Sequence, residues 1–323
     1  MLKPIHFTAV PLERSSRLLA QLEYAGGGDI CYVSGWLRGL MKVFVTTKRE
    51  NSVFFFHQQR LLPFLCILLI CRPKLVKYIV YDVHDLIDED ARSISLAMRN
   101  KVLAWLESFV VKRGVRLITV SQGLADLLEL RYFKRSIVIY NACKIGDIER
   151  NIVESSFPRS MKLCYFGIVD EFRIPVNLYS RLVDFFQCEK IDIFGYVSRI
   201  SSFRPDSYEC ISYKGVFSPD DLGFLQGYDA LVFVNESELN DNYRYCLPNK
   251  LFQCASAGLG LVTTTFFVEL VRDLPFKNLG LNNSVGDSLV YIESKDVYNL
   301  ACMLYGKSKK EFQQLCAREV PYA

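Results

Sequence analysis

The sequence predicts an α/β protein made of two Rossmann-like domains. Short apolar runs rich in β-branched and aromatic residues alternate with stretches of helical periodicity, a pattern typical of parallel sheets covered by helices. The alternation stops in a polar, charged stretch at 141–158 and then starts again. A chain of 323 residues is also long for one domain and suits two of ordinary size. We therefore expect domains at 1–150 and 151–300, followed by a helical segment at 301–323.

The first half of the chain contains the elements of one parallel sheet. Strands are predicted at Ile5–Val10, Ile30–Val33, Val53–Phe56, Lys77–Tyr81, Val115–Val120 and Ser136–Tyr140. Helices are predicted between them at Leu12–Tyr24 and near 58–71, 94–112 and 122–131. Ligands of such sheets bind beyond the carboxyl ends of the strands, so we expect functional residues where these strands end.

The second half repeats the pattern. Strands are predicted at Lys162–Phe166, Ile191–Phe194 and Ala230–Val234, with another beginning at Leu261. Helices are predicted at Pro175–Phe186, Pro219–Gln226 and Asn249–Ala257, and two final helices near 295–305 and 308–318. This alternation predicts a second parallel sheet, and both sheets can turn their carboxyl strand ends toward a cleft between the domains.

Composition excludes several classes of protein. Half of the residues are hydrophobic and 23% are charged, which indicates a globular chain, and the net charge of +4 is too small to argue for nucleic-acid binding. Eleven cysteines without a C-x-x-C pair and only three histidines provide no zinc framework. Free thiols and an N-terminus without a signal-peptide pattern predict a cytoplasmic protein.

The longest apolar run is Leu61–Cys71, too short to cross a bilayer, which takes about 20 residues. One interpretation is a buried helix. The alternative is a helix that touches lipid on the inner face of the cytoplasmic membrane, helped by nearby basic residues. These are Lys42, Lys48, Arg49, Arg60, Arg72, Lys74 and Lys77.

The stretch 242–262 has the features of a phosphate-binding helix start. Pro248 precedes the predicted helix Asn249–Ala257, Lys250 lies in its first turn, and Gly258 and Gly260 separate it from the next strand. The positive end of a helix dipole together with a lysine favours an anion. The alternative is an ordinary helix-to-strand connection with an exposed lysine.

Ionisable residues follow the predicted strand at 77–80. The run 81–86 reads Tyr-Asp-Val-His-Asp-Leu and places Asp82, His84 and Asp85 at a carboxyl strand end. The alternative is a histidine bonded to a carboxylate for loop structure only. Asp88 and Asp90 also match an Asp-x-Asp metal motif, but their distance from the strand favours a charged helix cap.

Three segments, the two just described and a third at 163–173, resemble GT-B glycosyltransferases, especially the retaining family four. The run Pro-Asn-Lys-Leu-Phe at 248–252 resembles the nucleotide-sugar signature of that family, and 81–84 resembles its Tyr-Asp-x-His segment. Tyr165, Gly167 and Arg173 are in register with a third family segment. The sequence departs from the family at three positions, where Gln253 and Asp85 each replace Glu, and Gly260 replaces Pro.

The resemblance implies the roles of these residues. Lys250, Arg173 and the helix start at Asn249 would hold the donor diphosphate, and Gln253 would face the donor ribose. Glycines at strand exits would let the backbone approach the donor, and backbone groups of a further loop would hold the nucleobase. His84 would contact the transferred sugar or the acceptor, with Asp82 and Asp85 orienting it or assisting deprotonation. The strand-exit glycines are Gly167 and Gly195, and the nucleobase loop contains Val216 and Phe217.

The resemblance also implies the overall architecture and an activity. The two domains would face across a cleft, with the last helix crossing back to the first domain. The protein would transfer a hexose-type sugar from a nucleoside-diphosphate sugar to a hydroxyl of a growing glycan, such as a bacterial-type surface polysaccharide or a lipid-linked glycan. It would retain anomeric configuration and need no metal or cofactor. Two alternatives stay open: a sugar-nucleotide epimerase or hydrolase of the same fold, and a non-catalytic partner subunit.

Overall fold

The structure of the protein is a computed structural model that describes residues 2–10, 15–87, 94–142, 160–198, 202–217, 223–236, 240–272 and 274–317. The chain forms two compact units. Unit 1 comprises the chain up to residue 143 together with the residues from 304 onwards, and unit 2 lies between them. Most of the predicted linker at 141–158, the predicted cap at 88–90 and the first residues of the predicted helix Pro219–Gln226 lie outside the described residues.

Unit 1 contains a six-stranded sheet in which every neighbouring pair is parallel, in the order β2-β1-β3-β4-β5-β6. The order of the strands reverses between β1 and β3, so the carboxyl ends of these strands border the position where an open α/β sheet binds ligands. The strands are β1 Lys3–Thr8, β2 Asp29–Tyr32, β3 Ser52–His57, β4 Ile79–Val83, β5 Arg116–Thr119 and β6 Ile137–Val138.

Helices cover both faces of this sheet. On one face, a buried apolar cluster joins the sheet to four helices through Val43, Leu65, Val110 and Leu128. On the other face, the first helix packs beside the last described segment of the chain, where Phe312 is fully buried. The helices are α1 Ser16–Ala25, α2 Trp36–Thr46, α3 Leu62–Cys71, α4 Ile94–Lys112 and α5 Gln122–Tyr132. Of the described residues, α1 and the segment from 304 to 317 supply the helical side chains of the second face.

The apolar run at 61–71 forms α3, and its interpretation as a buried helix is confirmed. Six of the ten residues of α3 are buried because this helix packs between α2 and α4. The ring of Trp36 in α2 lies 4.9 Å from that of Phe64, and Cys66 Sγ donates to the carbonyl of Leu106 in α4. In the described part of the chain no helix is long and apolar enough to span a bilayer.

Unit 2 contains a seven-stranded sheet in the order β12-β13-β11-β10-β7-β8-β9. Its five-stranded parallel part reverses order between β7 and β10, as in a Rossmann fold. The strands are β7 Leu163–Phe166, β8 Ile191–Phe194, β9 Ile211–Gly215, β10 Ala230–Phe233, β11 Gly260–Thr264, β12 Lys277–Asn282 and β13 Ser288–Ile292. The helices are α6 Val176–Phe186, α7 Asp241–Arg244, α8 Asn249–Ala257 and α9 Val268–Val271.

Two sequence-based expectations about the C-terminal part are wrong. The second sheet is not purely parallel, because β12 and β13 form an antiparallel hairpin beside β11. The last two predicted helices are one helix, α10, which spans Ser294–Leu315 without a break at Gly306. A glycine inside a helix costs only about 1 kcal/mol, and burial of Leu304 and Ser308 on either side of it holds the helix together.

Gly260, which departs from the family pattern, has a structural reason. Its N–H donates to the carbonyl of Asp229 at 2.8 Å, a bond that proline lacks. A Cβ at this position would lie 2.7 Å from the hydroxyl of Tyr291 on β13. The replacement therefore fits the close packing of this sheet and is not by itself a sign of a degenerate site.

Candidate functional site

The side chain of Lys250 lies at the switch point of the second sheet. Its Nζ atom is 4.1 Å from the ring centroid of Tyr165 at the end of β7 and 5.0 Å from that of Phe233 at the end of β10. These are the two strands between which the strand order reverses. Helix α8 begins directly after Pro248, so the ammonium group and the start of this helix lie at the same edge of the sheet.

Lys250 has no acidic partner that would neutralise it, since it forms no ion pair within the described ranges and contacts aromatic rings instead. Burial, and after it the charge of Arg173, lower the pKa of Lys250 to about 7. A cation so destabilised is stabilised by any anion that enters the site. The arrangement therefore favours an anionic ligand.

Arg173 belongs to the same site, because its charge acts on Lys250, but it already has a carboxylate partner. Its guanidinium Nη1 donates to the nearly buried Asp170, whose other oxygen accepts the backbone N–H of Arg173 at 2.9 Å. Nη2 donates to the hydroxyl of Tyr243 at 3.3 Å. The charges of Arg173 and Asp170 cancel, so the net positive charge of this site comes from Lys250.

Glycines at the exits of β7 and β8 leave space for the side chain of Lys250 and for the backbone. A Cβ at Gly167 would lie 2.9 Å from Nζ of Lys250, so glycine makes room for this side chain. Gly195 has φ +141° and donates its N–H to the carbonyl of Gly215. A Cβ at Gly195 would lie 1.7 Å from the carbonyl oxygen of Gly167, which only a glycine can avoid.

Gly195→Ala is expected to lower the free energy of unfolding of unit 2 by about 2–3 kcal/mol, because both the backbone conformation and the carbonyl of Gly167 oppose a Cβ. The matched control is Gly215→Ala. Gly215 also has a positive φ, +88°, but a Cβ at this position would meet nothing within 4 Å. We expect it to cost only about 1 kcal/mol. Urea unfolding followed by far-UV circular dichroism measures both, and equal losses would contradict the close contact.

The remaining residues that were predicted to bind the sugar-nucleotide donor lie along the same sheet edge. Val216 is 70% exposed after β9, while the ring of Phe217 packs 5.8 Å from that of Phe166 beneath the loop. Asn249 is exposed at the start of α8, and Gln253 is half-buried one turn later. These positions leave Val216 and the first turns of α8 accessible to a ligand.

In unit 1 the carboxylate of Asp82 is the centre of a buried polar network. Asp82 lies inside β4 and is completely buried, whereas the sequence predicts a strand that ends before it. Arg17 binds it through Nε at 3.0 Å and Nη2 at 2.8 Å, Gln21 donates Nε2 at 2.7 Å, and His57 contacts it through Nδ1 at 2.9 Å. Such a carboxylate cannot touch a substrate and can act only through its neighbours.

Two histidines extend this network along the sheet. Because the ionised Asp82 only accepts, His57 donates from Nδ1, and its Nε2 accepts from Nδ1 of His6 at 2.9 Å. Burial would raise the pKa of Asp82, but the charge of Arg17, followed by His84 and the hydrogen bond from His57, holds this pKa well below its ordinary value. Asp82 is therefore ionised and the ring of His57 is fixed in one tautomer.

His84 is the member of the network that reaches solvent. Its Nε2 lies 3.3 Å from Asp82, and its side chain is 23% exposed. It borders a surface cavity of about 410 Å³ together with Asp85 and other mainly polar residues. Asp85 is exposed, and its carbonyl accepts from Gln59. The other lining residues are Val10, Gln58, Gln59, Arg60, Leu86, Arg99 and Asn100.

The two buried histidines make the stability of unit 1 depend on pH. Burial is the main cause that lowers the pKa of both rings, that of His6 well below 6.5. The charge of Asp82 raises both pKa values, and the charge of Arg17 lowers them further. Below pH 6.5 the unfolded chain binds protons that the folded chain excludes. The free energy of unfolding should therefore fall with falling pH, by up to about 2.7 kcal/mol per pH unit.

Urea unfolding at about pH 7.5 and about pH 5.5 tests this slope, with tryptophan fluorescence as the signal because Trp36 and Trp105 both lie in unit 1. His6→Phe keeps the stacking on Phe55 and should remove about half of the slope. A stability that does not change over this interval would contradict neutral buried histidines.

His57, Asp82 and His84 each offer a metal-ligand atom, and these atoms lie within 4.8 Å of one another. The group does not fit a resident cation, however. Both oxygens of Asp82 already accept from Arg17, and a divalent ion would stand against the guanidinium charge. We assign no metal to these residues, and metal independence stays a prediction.

Part of each site is predictable from the sequence. The structure brings Lys250, Gly167 and Gly195 to one edge of unit 2, and Asp82 and His84 together in unit 1. The partners of Asp82 were not predicted; they are His6, Arg17, Gln21 and His57. Two signals point to them in retrospect: a histidine that ends the apolar strand β3, and two polar residues four apart on α1, which share one helix face.

Two Rossmann-like units with these strand orders define the GT-B fold. The sequence matches none of the protein-family profiles and none of the curated proteins with which it was compared.

Solved structures are similar to the chain in fold. Anabaena HepE in complex with UDP has a TM-score of 0.57 and 13% identity over 98% of this chain and 94% of that chain. The E. coli trehalose-6-phosphate structure bound with UDP-2-fluoro glucose has a TM-score of 0.60 and 10% identity over 99% and 100% of the two chains. The apo form of the lipopolysaccharide outer core galactosyltransferase WaaB has a TM-score of 0.52 and 10% identity over 81% of this chain and 80% of that chain.

Proposed function

We propose that the protein is a glycosyltransferase that transfers a hexose-type sugar from a nucleoside-diphosphate sugar to a hydroxyl of a growing glycan. The observation that carries this proposal is the ammonium group of Lys250, which lies at the switch point of the second sheet beside the start of α8 and forms no ion pair with any described residue. A diphosphate supplies the anion that this site favours. Similar folds that hold UDP or a UDP-sugar support the choice of donor.

In this proposal unit 2 binds the donor. Lys250 and the start of α8 stabilise the negative charge that grows on the diphosphate as the glycosidic bond breaks. Arg173, fixed by Asp170, adds hydrogen-bond donors to the phosphates. Gln253 hydrogen-bonds the ribose hydroxyls, and the loop of Val216 and Phe217 holds the nucleobase.

Unit 1 provides the acceptor site. His84 contacts the transferred sugar or the acceptor hydroxyl from the wall of the 410 Å³ cavity, and Asp82 orients the ring from its buried position. Holding the acceptor in this way converts a bimolecular encounter into a local reaction. Retention of anomeric configuration and independence of metal ions are part of the proposal through the family resemblance.

A panel of nucleotide sugars tests the proposal. We expect one donor or a few to raise the melting temperature of the protein, since a ligand that binds only the folded state stabilises it. The stabilising donor is then labelled and incubated with glycan acceptors in the presence of a chelator. An acceptor-dependent labelled product supports the proposal. Free sugar or an isomerised donor would favour a hydrolase or epimerase, and the absence of any donor binding would favour a non-catalytic subunit.

A further inference from the structure

The outward face of α2 is apolar although it faces solvent. Leu37, Met41 and Val45 are four residues apart and therefore form one stripe along the helix. Each of the three side chains is between 62% and 68% exposed, and Trp36 beside them is 56% exposed. A stripe of this kind would normally be buried in a protein of this size.

A second apolar stripe lies on α4, on the same side of the sheet. Met98, Val102 and Trp105 follow at helical spacing and are 66%, 57% and 67% exposed. Helix α3 packs between α2 and α4 and adds Ile70, which is 62% exposed. We call the outward faces of α2, α3 and α4 the apolar helix surface. Both tryptophans of the chain belong to it.

The charges on this surface have one sign. Acidic residues are nearly as common as basic residues in the whole chain, 35 against 39, yet α2 and α3 contain none. The single acidic residue of α4 is Glu107, which is fully buried and accepts from the hydroxyls of Tyr81 and Tyr132. The exposed charges are all basic: Arg38, Lys42, Arg99, Lys101 and Lys112.

We propose that the apolar helix surface binds the headgroup region of an anionic phospholipid bilayer. Tryptophans are favoured at the boundary of a bilayer, and interfacial helices combine apolar residues with lysine and arginine. The uniform positive charge complements anionic lipid and opposes a second copy of this chain, which would bring like charges together. A protein partner is also less favoured, because interface cores are depleted of lysine.

Lipid contact is thus assigned mainly to α2 and α4. The apolar run at 61–71 contributes only Ile70, because most of α3 is buried. This inference does not depend on the proposed activity, because vesicle binding is measured without a donor or an acceptor. Failure of donor binding would leave it unchanged, and failure of vesicle binding would leave the proposed transfer reaction unchanged.

The experiment adds the full-length protein to vesicles of phosphatidylcholine alone and to vesicles that also contain phosphatidylglycerol. We expect co-sedimentation with the anionic vesicles and a blue shift of tryptophan fluorescence, since both Trp36 and Trp105 enter a less polar environment. Added salt should weaken the binding, because the attraction to the headgroups is screened. Absence of binding to anionic vesicles would overturn the proposal.

Two pairs of substitutions test the surface itself. The double variant Leu37→Gln with Met41→Gln should abolish the blue shift. The double variant Arg38→Gln with Lys42→Gln should lower the partition coefficient on anionic vesicles by more than about tenfold. All four side chains are exposed, so the melting temperature should stay nearly unchanged.

The matched controls lie on the other face of the sheet. Leu19→Gln on α1 changes a side chain that is 48% exposed, and Lys309→Gln with Lys310→Gln removes two exposed charges from α10. Both should bind vesicles like the unaltered protein. Equal loss in the controls, or binding unaffected by the α2 variants, would overturn the proposal. A change of oligomeric state in the α2 variants, measured by light scattering, would assign the surface to a second copy and overturn it as well.

Discussion

Replacing Lys250 by alanine is expected to lower the rate of sugar transfer by about 10²–10³-fold, the loss typical of removing one group that stabilises the charge of a transition state. The ammonium group supplies the net positive charge at the switch point, because Asp170 neutralises the charge of Arg173. Steady-state transfer rates with the stabilising donor measure the effect. The melting temperature should not fall, because the substitution removes a charge from a site that disfavours it.

Lys190→Ala serves as the control, because Lys190 is an exposed lysine of the same unit. It should leave the rate unchanged. Lys250→Arg should recover only part of the activity, since the larger guanidinium has to fit against the Gly167 backbone. Normal transfer by Lys250→Ala with every donor would remove Lys250 from the diphosphate site.

The lowered pKa of Lys250 also predicts how donor binding depends on pH. In the free protein the ammonium loses its proton near pH 7, and a bound diphosphate favours the charged form. Above about pH 7, binding should therefore take up close to one proton, and affinity should fall by about tenfold per pH unit. Calorimetry in buffers of different ionisation enthalpy measures this proton uptake, and Lys250→Ala should abolish it.

Asp82→Ala is expected to lower the free energy of unfolding of unit 1 by about 3–5 kcal/mol, because it leaves the buried charge of Arg17 without its partner. Gln21 and His57 would also lose their acceptor. Urea unfolding followed by the fluorescence of Trp36 and Trp105 reports on this unit.

Two variants decide whether the loss comes from the ion pair. Adding Arg17→Met to Asp82→Ala should restore part of the lost stability, since no unpaired charge is then buried. Asp85→Ala should change the free energy of unfolding by less than about 0.5 kcal/mol, because Asp85 is exposed. A small effect of Asp82→Ala, or no recovery in the double variant, would contradict the role of Asp82 as the centre of the network.

The parts of the fold that local pattern decides were predicted well. The boundaries of α8 agree with the structure because proline marks its start and a left-handed glycine, Gly258, its end. No element was predicted at 36–46, where α2 forms, because its exposed apolar stripe does not show the polar outer face of an ordinary surface helix. The hairpin of β12 and β13 was missed because a strand that adds antiparallel to a sheet edge resembles any other short strand in sequence.

The two sites differ in how far the sequence reveals them. Lys250 follows a recognisable helix start, and Gly167, which makes room for its side chain, stands directly after a predicted strand. The acceptor-side network joins His6, Arg17, His57 and Asp82, which are up to 76 positions apart in the sequence. Only the strand order β1-β3-β4 places these side chains beside one another.

By itself, the amino-acid sequence determined the two α/β halves, the helix start at Asn249 and the histidine segment at 81–86, because these depend on residues close together in the chain. The tertiary structure decided which groups are charged partners and which faces are exposed. It buried Asp82 against Arg17, left Lys250 without an acidic partner in the described part of the chain and turned the apolar stripes of α2 and α4 toward solvent. The physical reason is that burial and charge compensation depend on neighbours that sheet order and helix packing bring together.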